Sequence, residues 1–369
     1  MLILSLLMVV MTLAFANGAN DVSRGIATLV GSGRAKPSVA IGWGSGWTVV
    51  GAFSGCWLAT RLLEAYSGGV FLNGHGTNEV PLLDAPFFLA AAVAATLWVG
   101  FATWRKLPVS STHALTGGLI GSACAAFGWA SIDWSAAGLR FLLPLAISPL
   151  LAFLLIALFQ RLGQRFCHWC GQYCVCVEQR TAGTVTAEGT LCLSAESCLT
   201  TGSTADCDSS PVVTSRFDVM DMLHWGSGAL ISFARGLNDM PKILALGWAA
   251  GALGASLGWA FGLGALAMGA GCLFAGRRVT QTMGFEITRI TPQGGFLANS
   301  SAALLVTLAS PLGLPVSTTH VTGGAIMGLG LQSGSSALHW STIRQILFAW
   351  LVTMPCCILI ALLLRHLFA

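Results

Sequence analysis

Apolar residues fall in long, uninterrupted runs along this chain, separated by short polar stretches. Runs near 38–60, 86–104, 139–159, 252–275, 294–311 and 343–364 each have about the 20 residues that a helix needs to cross a bilayer. Four more stretches, 1–32, 110–130, 220–250 and 316–332, are apolar but interrupted by polar or charged residues. Strands of a membrane barrel would alternate apolar and polar positions. These runs are continuous, so they predict helices. The pattern is that of an all-α integral membrane protein with about ten membrane segments, divided evenly by a polar stretch at 161–217. It predicts two membrane domains, 1–160 and 218–369, joined by that polar linker.

Composition narrows the class. Only 9% of the residues are charged and 55% are hydrophobic, with a mean hydropathy of +0.76. Soluble domains carry about 25% charge, so a water-soluble fold is excluded. The 45 glycines would be costly in soluble helices, but in a membrane they allow helices to approach closely. Trp104, Trp134, Trp225 and Trp340 fall near segment ends, as interfacial anchors do. No basic residue precedes the first apolar run, so it reads as a retained span rather than a signal peptide.

Charge sets the orientation. With the N-terminus outside and ten alternating spans, the inside segments hold twelve basic residues: Arg34, Lys36, Arg105, Lys106, Arg161, Arg165, Arg180, Arg216, Arg277, Arg278, Arg289 and Arg344. The outside edges hold three, Arg61, Arg140 and Arg365. This bias predicts both termini outside and a cytoplasmic linker, with a bacterial inner membrane as the expected location. Five spans per half is an odd number, so the second half is predicted to be inverted relative to the first.

Two unusual motifs occur twice, in the same order. Gly18-Ala19-Asn20-Asp21 returns as Gly236-Leu237-Asn238-Asp239, and Pro108-Val109-Ser110-Ser111-Thr112-His113 returns as Pro315-Val316-Ser317-Thr318-Thr319-His320. Duplicated polar groups inside apolar segments are a mark of transporters built from internal repeats, with broken or re-entrant helices. A carboxylate in a membrane needs a partner, and an Asn-Asp pair supplies hard oxygens for Na+ or a place for a proton. Asn20, Asp21, Asn238 and Asp239 are therefore candidate coupling-cation residues. Gly18 and Gly25 suggest that the first helix unwinds there.

The Pro-Val-Ser elements open apolar segments. Hydroxyls at a helix N-terminus, beside unpaired backbone N–H groups, suit a tetrahedral oxyanion. Ordinary N-capping explains one hydroxyl of each run, though not three. Ser110, Ser111, Thr112, Ser317, Thr318 and Thr319 are the candidate substrate ligands. His113 and His320 either shuttle protons, donate to the anion or hold local backbone, and the structural role is preferred. Both Asn-Asp motifs carry a cation three residues on, Arg24 and Lys242, on the same helical face as the Asp. These cations either neutralise the aspartates or point at the anion. Arg235 beside the second copy has no basic counterpart in the first, where Asn17 stands. Glu286 reads as an intramembrane or interfacial acid or, in preference, as a loop acid paired with Arg289. The linker holds seven cysteines, and Cys167-x2-Cys170 with His168 has a metal-like spacing. The later cysteines supply no second such pair, so a flexible linker with reduced thiols and no metal is expected.

At these residues the chain resembles the inorganic phosphate transporter family of permeases. The resemblance rests on Gly18–Asp21, the modified Gly236–Asp239, both Pro-Val-Ser-Ser/Thr-Thr-His elements and Val30-Gly31-Ser32-Gly33. It implies inverted repeats and cation-driven phosphate uptake, with phosphate held by the six hydroxyl residues and the Asn-Asp pairs lining the cation and substrate sites. The family usually has Asn three residues after each Asp, where this chain has Arg24 and Lys242. An Asn oxygen can ligate Na+ and a cationic side chain cannot. The implied function is a secondary phosphate transporter working by alternating access, coupled to H+ or Na+, without an organic cofactor. The alternative is a permease for sulfate or another tetrahedral oxyanion. An anion channel or an intramembrane hydrolase ranks lower: Thr112 and His113 are adjacent and do not face each other on a helix. No Gly-x4-Gly-Lys-Ser/Thr loop for ATP occurs. The expected partners are the anion and membrane lipid, with a homodimer possible and no nucleic acid.

Overall fold

A computed structural model describes residues 1–67, 83–185, 191–209, 212–253 and 257–368. Each of the ten predicted segments holds a helix. In the first half these are α1 (Leu2–Asp21), continued after one residue by α2 (Ser23–Gly31), then α3 (Pro37–Leu58), the short α4 (Thr60–Ala65), α5 (Ala85–Trp104), α6 (Ser111–Phe127), the short α7 (Trp134–Ala137) and α8 (Leu143–Cys170). The second half has α10 (Val219–Ala249), α11 (Leu257–Ala275), α12 (Arg277–Phe285), α13 (Pro292–Ala309), α14 (Thr318–Gln332) and α15 (Trp340–Phe368). Among the described residues, five helical stretches are long and apolar enough to cross a membrane: 2–31, 85–104, 134–170, 257–275 and 340–368.

Local signals place the helix starts. Asp84 caps α5 by accepting the Phe87 N–H at 2.9 Å, and Thr291 caps α13 by accepting the Gly294 N–H at 3.1 Å. Each is followed by a proline in the first turn, where its missing N–H costs nothing.

The halves pack through each other. Helix α1 lies against α11 and α5, while α10 lies against α3 and α13. Likewise α6 packs on α15, and α14 on α8. The motif-bearing helices thus sit in the interior. One apolar core joins α1, α5, α6 and α11 with residues 240–246 of α10. A second gathers α12, α13, α14 and the first part of α15.

The centre of the chain differs from the flexible linker expected. Helix α8 runs on to Cys170, so Arg161 and Arg165 are helical. A three-stranded antiparallel sheet follows, in the order β2-β1-β3: β1 (Tyr173–Val185), β2 (Leu191–Ser203) and β3 (Val213–Asp218). A short helix α9 (Thr204–Ser209) lies between β2 and β3. The fold is therefore mostly, not wholly, α-helical. Along β1, Cys174 and Cys176 fall on one, buried face and Val175 and Val177 on the other, the period of a pleated strand. The strand β3 is tied back to the helices. Arg34, just beyond α2, lies 3.9 Å from Asp218 at the end of β3 and 2.9 Å from Asp221 in α10, while within β3 Arg216 Nε donates to Asp218 at 2.6 Å.

Candidate functional site

The two Asn-Asp motifs meet in the interior. Asp21 ends α1, and α2 restarts at Ser23 with Val22 between them still in helical geometry. The second copy is unbroken: α10 runs straight through Asn238-Asp239 and past Pro241. The motif glycines do not unwind these helices, contrary to expectation. They let the backbones touch. A Cβ on Gly18 would lie 1.9 Å from the Met268 carbonyl oxygen of α11, and one on Gly236 would lie 2.2 Å from the Thr48 carbonyl oxygen of α3. Gly25 is likewise needed against Ser232.

Each Asn acts as a strap on its own half. Asn20 Nδ2 donates to Thr103 Oγ1 at 2.9 Å and to the Leu107 carbonyl at 3.0 Å, and the Val109 N–H donates to Asn20 Oδ1 at 3.3 Å. Asn238 Nδ2 donates to the Val316 carbonyl at 3.2 Å, and Ser310 Oγ donates to Asn238 Oδ1 at 3.2 Å. These bonds hold the extended Pro-Val segments that lead into α6 and α14.

The hydroxyl runs divide by role. Ser110 and Ser317 are N-caps, accepting the His113 N–H at 3.1 Å and the His320 N–H at 3.3 Å. Ser111 and Thr112 lie in the first turn of α6, and Thr318 and Thr319 in that of α14, all buried. Ser111 Oγ donates to Asp21 Oδ2 at 3.3 Å. Thr319 Oγ1 donates to the Val109 carbonyl at 2.9 Å, crossing to the other half. Thr318 is buried in the first turn without a side-chain role in this network. His113 Nδ1 bonds Ser110 Oγ at 2.8 Å. The His113 and His320 rings lie 4.4 Å apart, so the two helix N-termini face each other.

Charge concentrates at the same place. Asp21, Arg24, Arg235, Asp239 and Lys242 are each at most 2% exposed, and they are the described Asp, Glu, Lys and Arg residues that are fully buried. Three cations thus face two carboxylates. Arg24 Nη1 lies 2.5 Å from Asp21 Oδ1, a close internal pair. Lys242 Nζ is 3.9 Å from Asp239 Oδ1 and bonds chiefly to neutral oxygens instead. Asn17 joins the aspartates: its Nδ2 lies 3.1 Å from Asp21 Oδ2, 3.3 Å from Asp239 Oδ2 and 2.8 Å from Ser111 Oγ. Arg235 Nη1 donates to Asn17 Oδ1 at 3.4 Å, and its Nη2 to Thr48 Oγ1 at 2.7 Å. Asn17 and Thr48 escaped the sequence reading. The equivalence of Asn17 with Arg235 in the repeat alignment was the available signal, and the two side chains touch.

Other expected residues lie elsewhere. Glu286 and Arg289 are exposed beyond α12, with no mutual ion pair described. Cys167 and Cys170 are buried at the end of α8, and His168 bonds Gln172 at 3.2 Å, so the expected spacing forms no described metal group. A cavity of about 520 Å3, bordered by Ala16, Ala19, Thr103, Arg277 and Arg278, reaches Thr103, one hydrogen bond from Asn20.

Residues 17–361 match the phosphate transporter family. The chain belongs to that family. A "Probable low-affinity inorganic phosphate transporter" of Rhizobium meliloti is 30% identical, over 98% of this chain and 94% of the relative. A protein of the same description from Mycobacterium tuberculosis is 28% identical, over 96% of this chain and 75% of the relative. A solved structure titled "The sodium-dependent phosphate transporter" superimposes with a TM-score of 0.77 at 21% identity, covering 99% of this chain and 98% of that one. Membership in this transporter family and the apolar helices together make the chain an integral membrane protein.

Proposed function

We propose that this family member is a secondary transporter that carries inorganic phosphate by alternating access, with coupling to a cation, H+ or Na+. The observation that carries the reading is the meeting of two hydroxyl-lined helix N-termini at a buried cluster with a surplus of positive charge. Such an end binds tetrahedral oxyanions through free N–H groups and hydroxyls, and the surplus cation favours an anion further. Ser111, Thr112, Thr318 and Thr319 are the proposed phosphate ligands, with Ser110 and Ser317 setting the helix starts. Asp21 and Asp239, bridged by Asn17, are the proposed coupling carboxylates. Phosphate still carries a proton near neutral pH and can donate it to a carboxylate, whereas sulfate cannot. That asymmetry supports phosphate over sulfate at a site walled by Asp21 and Asp239.

The two halves are proposed to be inverted repeats. The support is the reciprocal packing of α1 on α11 and α10 on α3, and of α6 on α15 and α14 on α8. Motion of this pair of units about the buried cluster would open it to either side in turn. The proposed orientation has both termini outside and the sheet inside, and the bias of basic residues toward the inside segments supports it.

Radiolabelled phosphate uptake by the purified protein in liposomes tests the reading. Saturable uptake that excess unlabelled phosphate blocks and sulfate does not is the expected result. Sulfate blocking as well as phosphate would transfer the site to tetrahedral oxyanions in general. Non-saturating flux would make the protein a channel.

A further inference from the structure

Arg24 and Lys242 are held in oxygen cages of the same construction. Lys242 Nζ donates to the Val316 carbonyl at 2.9 Å and to Thr112 Oγ1 at 3.0 Å, with Asp239 Oδ1 at 3.9 Å. Arg24 Nη2 donates to the Val109 carbonyl at 2.7 Å, to Thr319 Oγ1 at 2.7 Å and to Asn20 Oδ1 at 2.9 Å. Its Nη1 meets Asp21 and the Asn20 carbonyl. Val109 matches Val316 in the repeated motif, and Thr112 matches Thr319. Each cation therefore takes a carbonyl from its own half and a hydroxyl from the other. Carbonyl, hydroxyl, amide and carboxylate oxygens are the ligands that a hard metal cation gathers. Here the positive charge in both cages is covalently attached.

Resting on the phosphate-permease reading, we infer that Arg24 and Lys242 are tethered replacements for dissociable alkali cations, so that transport by this chain does not require Na+. A second positive charge in either cage would be repelled at short range in a medium of low dielectric. The cations also stay behind when the anion leaves, so the buried surplus of positive charge awaits the next anion without an ion binding first. A sodium-dependent protein shares this fold, so the difference resides in the side chains rather than the architecture.

The test is radiolabelled phosphate uptake into liposomes holding the purified full chain. Inward NaCl gradients are compared with KCl and choline chloride at equal pH and osmolarity. Equal rates are expected, and saturable stimulation by Na+ would overturn the inference. Arg24→Asn and Lys242→Asn return a neutral oxygen ligand to each cage, and each is expected to make uptake rise about tenfold with Na+, the size of a typical coupling between sites. Should those variants fail to fold, 22Na+ entry with the unaltered protein decides: none is expected with phosphate, and phosphate-dependent 22Na+ entry refutes the idea. Absence of phosphate uptake under every gradient would instead sink the permease reading itself.

A separate observation concerns the sheet. The sulfurs of Cys174, Cys176 and Cys207 all lie within 4.8 Å of one another and are buried. Cys207 Sγ lies within disulfide-bonding distance of both Cys174 Sγ and Cys176 Sγ, which are themselves 3.4 Å apart. One sulfur can form only one disulfide, so pairing alone does not account for three sulfurs converging on a point. Three thiolates are the donor set of a soft metal ion, and we propose that these cysteines form such a site beside the membrane. Anaerobically purified full-length protein, titrated with Cd2+, should show thiolate-to-metal absorbance saturating at equimolar metal. Cys207→Ser should abolish it, and Cys198→Ser, which alters an exposed thiol, should leave it unchanged. Failure of the unaltered protein to hold Cd2+ against a chelator would overturn the site. So would mass spectra of the reduced preparation showing Cys207 disulfide-linked to either partner.

Discussion

At the scale of single residues, the buried charges answer to one another. Asp21 neutralises Arg24 directly, and removing one member of a buried pair strands the other. Asp21→Ala is therefore expected to destabilise the fold by about 3–5 kcal/mol, read as a fall in detergent thermal stability. Asp239→Ala should cost less, because Lys242 has two neutral oxygen partners at bonding distance and its carboxylate at 3.9 Å. Equal losses for the two would show the cages to be unimportant. The hydroxyls separate in the same way. Ser317→Ala removes a cap and should cost about 1 kcal/mol of stability with little change in phosphate half-saturation. Ser111→Ala removes hydrogen bonds to Asp21 and Asn17, and should both cost about 1–3 kcal/mol of stability and raise half-saturation about tenfold. The motif residues were visible in the sequence because they were repeated. Asn17 was not, since its role arises only where two distant aspartates converge on one amide.

Among the elements, the helices cross where glycine permits it. A methyl group on Gly18 or Gly236 would overlap a carbonyl oxygen of the neighbouring helix, a contact that backbone cannot yield cheaply. Gly18→Ala and Gly236→Ala are expected to lower the yield of folded, monodisperse protein sharply. Gly42→Ala, on the same kind of helix but with nothing within 4 Å of the added carbon, should be neutral or slightly stabilising. Size-exclusion profiles of the three variants make the comparison. Element positions were legible from apolar runs and caps, because those signals are local. The continuity of α10 was not. The motif differs from the first copy by one residue, and α10 packs on α3 and α13 while staying helical across the Asn-Asp pair.

For the whole molecule, the proposed orientation puts the sheet inside and both termini outside. Cys198 on β2 is exposed. In an otherwise cysteine-free background, it should react with an impermeant maleimide only in inside-out vesicles. Labelling from the outer face would reverse the assigned topology. The Arg34 pairs with Asp218 and Asp221 join the sheet to the helices across a partly exposed surface. Arg34→Ala should accordingly cost no more than about 1 kcal/mol, again by thermal stability.

The chain by itself determined its solvent, its helical segments and the identity of nearly every group at its centre. Apolar run length, charge scarcity and a duplicated motif are properties of order along a chain, and bilayer physics acts on them directly. Tertiary structure decided which of those groups touch. Whether Lys242 faces its aspartate or a carbonyl of the opposing segment, whether a glycine bends a helix or admits a neighbour, and which three of the linker cysteines converge all depend on contacts between residues far apart in sequence. No periodicity records such contacts, because they are set by how the two halves interlock.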